Sequence, residues 1–76
     1  MIIKIYTTPT CPWCKKTKEF FKEHNIEYEE LDVAGNQETA KEMIDKSGQM
    51  GVPVVDIDGE IIVGYDIDRL KKSLKL

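Results

Sequence analysis

The chain has few of the residues on which several classes of protein depend. Among its 76 residues are only two cysteines and one histidine, which excludes a framework of several disulfides and leaves few soft ligands for a metal such as zinc. No apolar run approaches the length of a transmembrane helix, so we expect no membrane association. Basic residues do not cluster with aromatic ones and the net charge is −3, so nucleic acid is not an expected partner.

What is present predicts a single domain over residues 1–76. This length and the mixed composition suit one small hydrophobic core, and the chain shows no internal repeat or linker. The first residues alternate as a strand does and lack the layout of a signal peptide. We therefore expect a cytoplasmic monomer, in a compartment where a lone, closely spaced cysteine pair is more often catalytic than structural.

The two cysteines, Cys11 and Cys14, lie where a predicted strand turns into a predicted helix. An apolar run over residues 1–6 predicts the strand, and residues 12–24 have helical periodicity. Pro12 suits the first helical position, which puts Cys11 at or next to the N-cap. There the sulfur faces free N–H groups and the positive end of the helix dipole, a setting that stabilises a thiolate. Cys14 follows one turn later, close enough to form a disulfide with Cys11.

Three structural roles for the cysteine pair are alternatives to redox chemistry. A disulfide across four residues would stabilise the fold by only about 2 kcal/mol, and structural disulfides usually close longer loops. A zinc site needs four ligands, and His24 is the one further soft donor unless a dimer supplies more cysteines. Inert buried thiols do not suit a stretch that holds proline, tryptophan and lysines. Redox chemistry is therefore the favoured interpretation.

The pattern along the chain predicts the element order βαβαββα. Asn36 and Asp66 are suitable N-caps for the second and third helices, and Asp58-Gly59 is a hairpin signal between the last two strands. The apolar spacing of the second strand slips between Tyr28 and Leu31, as at a bulge or an imprecise boundary. A helix between the first two strands makes them parallel, so we expect a four-stranded mixed sheet flanked by helices. The predicted strands cover 2–6, 26–33, 54–57 and 61–63. The predicted helices cover 12–24 and 37 to about 47, and a last helix follows Asp66 with Lys75 near its end.

Four groups of residues together form a specific pattern: Tyr6, Thr10-Cys11-Pro12-Trp13-Cys14, Val52-Pro53 and Gly64-Tyr65-Asp66. This pattern resembles the glutaredoxin branch of the thioredoxin superfamily, and the match covers nearly the whole chain. The resemblance implies the thioredoxin-like, glutaredoxin-type α/β fold. It also implies a cis peptide bond at Val52-Pro53, beside the cysteines, where the backbone of Val52 can pair with a bound peptide or glutathione. Tyr6 fits the core better than the site.

The resemblance implies a thiol–disulfide oxidoreductase with a dithiol mechanism. The Cys11 thiolate attacks a substrate disulfide, and Cys14 then resolves the mixed disulfide, leaving a Cys11–Cys14 disulfide. Disulfide-containing proteins are the implied substrates, no cofactor is bound, and glutathione is the implied co-substrate. Trp13 fits a docking surface or a packing role against Tyr65, and Asp66 fits an N-cap, a ligand contact or both. The implied substrate or glutathione contacts are Pro12, Trp13, Val52, Pro53, Gly64, Tyr65 and Asp66.

Several positions depart from the family's pattern for binding glutathione. Glutaredoxins usually carry a cation shortly before the cysteine motif, where residues 7–10 of this chain are all Thr or Pro. They often carry another a few positions before the Val-Pro, where this chain has Gln49. The Gly-Gly-x-Asp-Asp element is incomplete at residues 63–67. Each lost charge-assisted contact is worth about 1.5–3 kcal/mol, so we expect weakened glutathione recognition.

Three alternative functions follow from these departures and from the cysteine spacing. The first is an NrdH-type redoxin that receives electrons from thioredoxin reductase, since such redoxins also lack the glutathione cations. The second is a metal or iron–sulfur binding module in which Cys11 and Cys14 of two chains share the ligands. The third is a non-catalytic adaptor that binds a peptide strand at Val52.

Overall fold

The computed structural model describes residues 2–75, which form strands and helices in the order β1-α1-β2-α2-β3-β4-α3. The predicted element order is therefore confirmed. Met1, which begins the apolar run of the first predicted strand, and Leu76 lie outside the described residues. The elements are β1 (Ile3–Thr7), α1 (Pro12–Glu23), β2 (Glu29–Asp32), α2 (Gln37–Ser47), β3 (Val54–Ile57), β4 (Glu60–Val63) and α3 (Ile67–Leu74).

The described strands form one mixed sheet with the order β2-β1-β3-β4. β1 pairs in parallel with β2 and antiparallel with β3, so that Ile5 lies between Glu30 and Val55. An interior strand covered on both faces is expected to be apolar on both, and β1 is so apart from Lys4 and Thr7. β3 and β4 are antiparallel and joined by Asp58 and Gly59, which both have the positive φ that the predicted hairpin turn requires.

The core is divided between the two faces of the sheet. Successive strand residues point to opposite faces, so Ile5 packs with α1 and α3 while Tyr6 packs with α2. The cluster on the α1 and α3 face consists of Ile3, Ile5, Phe20, Phe21, Val55, Ile57, Ile62 and Leu70. The cluster on the α2 face consists of Tyr6, Met43 and Val54.

The predicted second strand, 26–33, is too long, since β2 covers only Glu29–Asp32. The chain is still wrapped around the end of α1 at Ile26, whose N–H donates to the Phe21 carbonyl at 2.9 Å. Tyr28 then packs its ring 5.2 Å from that of Phe21. These apolar residues are thus partly buried by contact with a helix and not by pairing with β1, and the slip in spacing marks the strand boundary.

The helix ends follow the predicted capping residues. The Asn36 side chain accepts hydrogen bonds from two backbone N–H groups of α2, and that of Asp66 accepts one from Arg69 N–H in α3. α1 ends one residue earlier than predicted, at Glu23, with His24 as its C-cap. α1 has 12 residues, and among residues 2–75 no helix is long and apolar enough to cross a membrane.

Candidate active site

The turn from β1 into α1 holds the sulfur of Cys11 at the start of the helix. Cys11 is the N-cap of α1, with extended backbone angles of φ −87° and ψ 112°, and Pro12 follows at the first helical position. Its Sγ accepts a hydrogen bond from Cys14 N–H at 3.1 Å. The sulfur thus replaces a capping oxygen at the positive end of the helix dipole, where negative charge is favoured. The predicted N-cap position of Cys11 is confirmed.

The two thiols have different surroundings. Cys11 is partly exposed, whereas Cys14 is 1% exposed and belongs to the buried side of α1. Burial raises the pKa of the Cys14 thiol to about 12, and the hydrogen bond with the Cys11 side chain adds to the shift. At neutral pH Cys14 is therefore a protonated thiol behind the partly exposed Cys11.

A second turn brings the predicted Val-Pro segment to the cysteines. The Val52-Pro53 peptide bond is cis, as the resemblance implied. The Val52 carbonyl lies 3.9 Å from Cys11 Sγ and accepts its S–H. The Pro53 carbonyl accepts a 2.8 Å hydrogen bond from Gly64 N–H, which ties the turn to the segment after β4. Gly64 has φ +79°, a left-handed conformation that favours glycine.

An aromatic groove opens beside these turns. The ring of Trp13 lies 5.7 Å from that of Tyr65 with the planes inclined by 31°, yet Trp13 remains 52% exposed. Trp13 therefore packs against Tyr65, which is one of the two roles considered for it, and its docking role stays a prediction. Asp66 caps α3 and does not line this groove. The aromatic groove has a volume of about 280 Å³ and is lined by Trp13, Val52, Pro53, Gly64 and Tyr65.

A larger groove lies beside Cys11, lined by the loop before it and by one side of α1. Its volume is about 540 Å³, and three lysines contribute to its wall, at positions 15, 18 and 22. In the sequence these lysines have the pattern of an ordinary solvated helix face, and the predicted site does not include them. The spacing of three and four residues was the signal for a shared side of the helix. The groove is lined by Thr8, Pro9, Thr10, Cys11, Pro12, Lys15, Lys18, Glu19 and Lys22.

The structure brings no further metal ligand to the cysteines. Within residues 2–75, no group of three or more His, Cys, Asp or Glu side chains is placed to hold a metal ion. His24 lies at the opposite end of α1 from Cys11, roughly 20 Å along the helix axis. Its ring packs against Phe20, with the ring centroids 4.5 Å apart.

Comparison with known sequences identifies the family. The model of the glutaredoxin family matches residues 3–62. The chain belongs to the glutaredoxin family. It is 54% identical over 72 residues to an uncharacterized glutaredoxin-like 8.6 kDa protein in the rubredoxin operon of Clostridium pasteurianum, covering 91% of this chain and 96% of that protein. It is 38% identical over 64 residues to glutaredoxin 3 of Escherichia coli K12, covering 84% of this chain and 77% of the relative.

Solved structures support the same assignment. The thioredoxin-like protein BC3987 aligns with a TM-score of 0.88 and 37% identity, covering 93% of this chain and 97% of that one. The glutaredoxin-like NrdH-redoxin of Escherichia coli aligns with a TM-score of 0.83 and 28% identity, covering 95% of this chain and 93% of that one. The thioredoxin-like, glutaredoxin-type fold is therefore confirmed, and thiol–disulfide exchange is the general activity of the glutaredoxin family.

Proposed function

We propose that this glutaredoxin-family protein reduces disulfides through a dithiol mechanism, with Cys11 as nucleophile and Cys14 as resolving thiol. The observation that carries the proposal is the hydrogen bond from Cys14 N–H to Cys11 Sγ at the N-terminus of α1. A thiolate at Cys11 gains this bond and the helix dipole together, and the thiolate is the form that attacks disulfides. A reducing compartment such as the cytoplasm would keep the pair in its working cycle.

The proposed reaction passes two electrons to the substrate. The Cys11 thiolate attacks one sulfur of the substrate disulfide, the S–S bond breaks, and the released substrate thiolate takes up a proton. Cys14 then attacks Cys11 Sγ, which releases the second substrate thiol and forms the Cys11–Cys14 disulfide. Because burial raises the pKa of the Cys14 thiol, its proton has to leave as it attacks, and the departing substrate thiolate is a suitable acceptor.

The substrate would lie across the turns that surround Cys11. The Val52 carbonyl lies 3.9 Å from Cys11 Sγ and supplies a backbone acceptor for an extended peptide. The aromatic groove of Trp13 and Tyr65 offers an apolar surface next to it. The proposed substrate or glutathione contacts are Pro12, Trp13, Val52, Pro53, Gly64, Tyr65 and Asp66.

Cysteine variants test the proposal. The reduced parent protein is expected to reduce a small disulfide, and Cys11→Ser is expected to lose this activity. Cys14→Ser should form a mixed disulfide with the substrate and hold it, which mass spectrometry detects. Thr39→Ser on α2 is the control and should behave as the parent does. Equal turnover by the parent and Cys11→Ser, or no trapped adduct on Cys14→Ser, would contradict the mechanism.

The electron donor has a second candidate. Glutathione is the proposed co-substrate, but the groove wall before Cys11 consists of Thr8, Pro9 and Thr10, none of which is a cation. Gln49 directs its side-chain amide to the Gly51 carbonyl, at 3.2 Å, within its own loop. One solved relative, the NrdH-redoxin, is described as glutaredoxin-like with a thioredoxin-like activity profile. These observations favour thioredoxin reductase as the alternative donor.

A turnover assay separates the two donors. Glutathione with its reductase is compared with thioredoxin reductase, each with NADPH and the same disulfide. Turnover only with glutathione and its reductase supports glutathione as the donor. Turnover only with thioredoxin reductase supports the NrdH-type role. Colour or bound iron or zinc in protein purified without oxygen would instead favour the cluster-binding module.

A further inference from the structure

We infer that the groove formed by Lys15, Lys18 and Lys22 beside Cys11 binds acidic segments of the proteins whose disulfides Cys11 attacks. This groove is called the lysine groove below. The inference rests on the proposed function, because it takes Cys11 as the attacking sulfur. It adds a class of partner, one with carboxylates near the reactive disulfide, and a surface of this chain that recognises it.

The lysine groove has the position that a substrate surface needs. Its three lysines lie on one side of α1, at intervals of three and four residues, and Cys11 lies in the same wall. A molecule that fills the groove therefore contacts Cys11 and the lysines together. The volume of about 540 Å³ is large enough to admit several side chains.

The charge of the lysine groove is positive in an otherwise acidic molecule. Its lining includes three lysines and one acid, Glu19. Lys18 is paired with Glu30 at 3.2 Å, whereas no carboxylate of residues 2–75 lies within 4.0 Å of Lys15 or Lys22. α1 contains four lysines and two glutamates, for a net charge of +2 in a chain of net charge −3. Positive potential is thus concentrated next to the nucleophile, where it attracts anions.

The length of the lysine groove favours a protein segment over glutathione. Lys22 lies eleven positions beyond Cys11, roughly 16 Å along the helix axis. An extended tripeptide spans about 10 Å in all, and one attached through its central cysteine reaches about half of that to each side. A longer segment, with acidic residues several positions from its cysteine, can contact both Lys15 and Lys22 while its disulfide lies at Cys11.

The two grooves beside the site differ in polarity, and this difference would orient the partner. Lys16, the remaining lysine of α1, places its Nζ 4.8 Å from the Trp13 ring centroid and belongs to the aromatic side. Apolar side chains on one side of the substrate disulfide suit Trp13 and Tyr65, and carboxylates on the other side suit the lysine groove. A partner bound the other way round would leave both sets of groups without matching contacts.

The test uses two synthetic peptides that differ in charge alone. Each has a central cysteine in a disulfide with β-mercaptoethanol, one peptide carrying glutamates on both sides and the other glutamines at the same positions. The second-order rate constant for reaction with reduced protein is measured by mass spectrometry, without an external electron donor. At low salt the glutamate peptide is expected to react roughly tenfold faster, and the advantage should fade towards about 0.5 M salt.

Charge variants locate the effect, and the readout is the ratio of the two rate constants. Changes in the reactivity of Cys11 itself cancel in this ratio. Reversal of charge in the double variant Lys15→Glu/Lys22→Glu is expected to bring the ratio to about one or below, roughly a tenfold loss. Lys22→Glu alone, far from the sulfur, should lower the ratio about threefold. The double variant Lys41→Glu/Lys71→Glu changes the net charge equally on α2 and α3 and should leave the ratio unchanged.

The outcomes distinguish this inference from the proposed function. Reaction of neither peptide means that the proposed function fails. Equal rates for both peptides on the parent, or an equal drop in the ratio with the α2 and α3 control, overturn the inference and leave the function standing. The rate constant for glutathione disulfide is also compared between the parent and Lys22→Glu. If it falls by as much as the rate constant for the glutamate peptide, the groove serves glutathione and the inference is also overturned.

Discussion

At the scale of the residue, the two cysteines show how position on one helix separates chemical roles. Cys11 precedes the first turn of α1, so its side chain lies at the end of the helix and its sulfur is directed towards the free N–H groups. Cys14 lies three positions later, on the side of α1 that also carries Thr17 and Phe21 into the core. The three-residue spacing thus produces one partly exposed cysteine and one buried thiol close to it.

The buried thiol predicts that alkali weakens the reduced protein. Burial raises the pKa of Cys14 from its ordinary value of 9.0 to about 12. Between these values the unfolded chain loses the proton while the folded state retains it, so stability falls as the pH rises. The slope from this group is at most about 1.4 kcal/mol per pH unit.

Urea unfolding of the reduced parent and of Cys14→Ala, at several pH values from neutral to alkaline, measures this effect. As the pH rises above the ordinary pKa of a thiol, the unfolding free energy of the parent should fall relative to that of Cys14→Ala. Tyr6 and Lys46, whose pKa values are also raised, are present in both proteins and cancel in the difference. A difference that stays constant with pH would contradict the assigned burial.

At the scale of the element, α2 is joined to the sheet by a charged cluster as well as by apolar contact. Lys46 Nζ lies 2.7 Å from Asp56 Oδ2, 3.1 Å from the Tyr6 hydroxyl and 3.1 Å from Glu42 Oε1. Burial of Asp56 opposes its ionisation, but hydrogen bonds from Lys46 and from Gly59 N–H outweigh this, and the pKa of the carboxyl is lowered. Asp56 is therefore ionised although it is 8% exposed.

Removing the cation of this cluster should destabilise the protein. Lys46→Met leaves the Asp56 carboxylate and the Tyr6 hydroxyl without their shared donor, at an expected cost of about 1–3 kcal/mol in unfolding free energy. Lys41→Met, at an exposed position on the same helix, is the control and should change stability by less than about 0.5 kcal/mol. Urea unfolding near neutral pH makes the comparison, and equal effects of the two substitutions would show that the cluster contributes nothing.

Unfolding in acid is a second test of the pair formed by Lys46 and Asp56. Because its pKa is lowered in the folded state, the Asp56 carboxylate stabilises the protein above its ordinary pKa of 3.8, and this contribution is lost as the pH falls through the folded value. The advantage of the parent over Lys46→Met should therefore shrink in acid.

Local signals in the sequence predicted most of the elements. Asn36, Asp66 and the Asp58-Gly59 turn act through hydrogen bonds or φ angles within a few residues, so they can be identified without knowledge of the fold. The second strand was predicted too long because Ile26 and Tyr28, partly buried against α1, alternate as strand residues do. Periodicity reports which residues are buried but not whether a helix or a neighbouring strand covers them.

Contacts between distant parts of the chain could not be predicted from the sequence pattern. Lys46 meets a tyrosine 40 positions away, and nothing near either residue indicates the contact. The approach of Val52 to Cys11, across 41 positions, was predicted through the resemblance to glutaredoxins and not from spacing. The lysine groove was missed although its intervals were visible, because the loop that forms its other wall is placed by the fold.

At the scale of the whole molecule, the two faces of the sheet are unequally filled. Among the residues of α1, Cys14, Thr17, Phe20 and Phe21 are buried, whereas Met43 is the one buried residue among those of α2. A helix with more buried side chains loses more on detachment, since each large apolar side chain contributes about 1.5–3 kcal/mol. The face that carries Cys11 is therefore the more firmly packed.

This asymmetry predicts that α2 opens locally while α1 does not. In native-state hydrogen exchange, backbone amides in the middle of α1 should exchange only through global unfolding, with the full unfolding free energy. Amides in the middle of α2 should exchange at a lower free energy, because detachment of α2 exposes Met43 and the Lys46 cluster but leaves the cluster around Phe21 intact. Lys46→Met should lower the opening free energy of α2 further and reduce the value for α1 only by its effect on global stability. Equal opening free energies for the two helices in the parent would mean that the charged cluster holds α2 as firmly as the aromatic side chains hold α1.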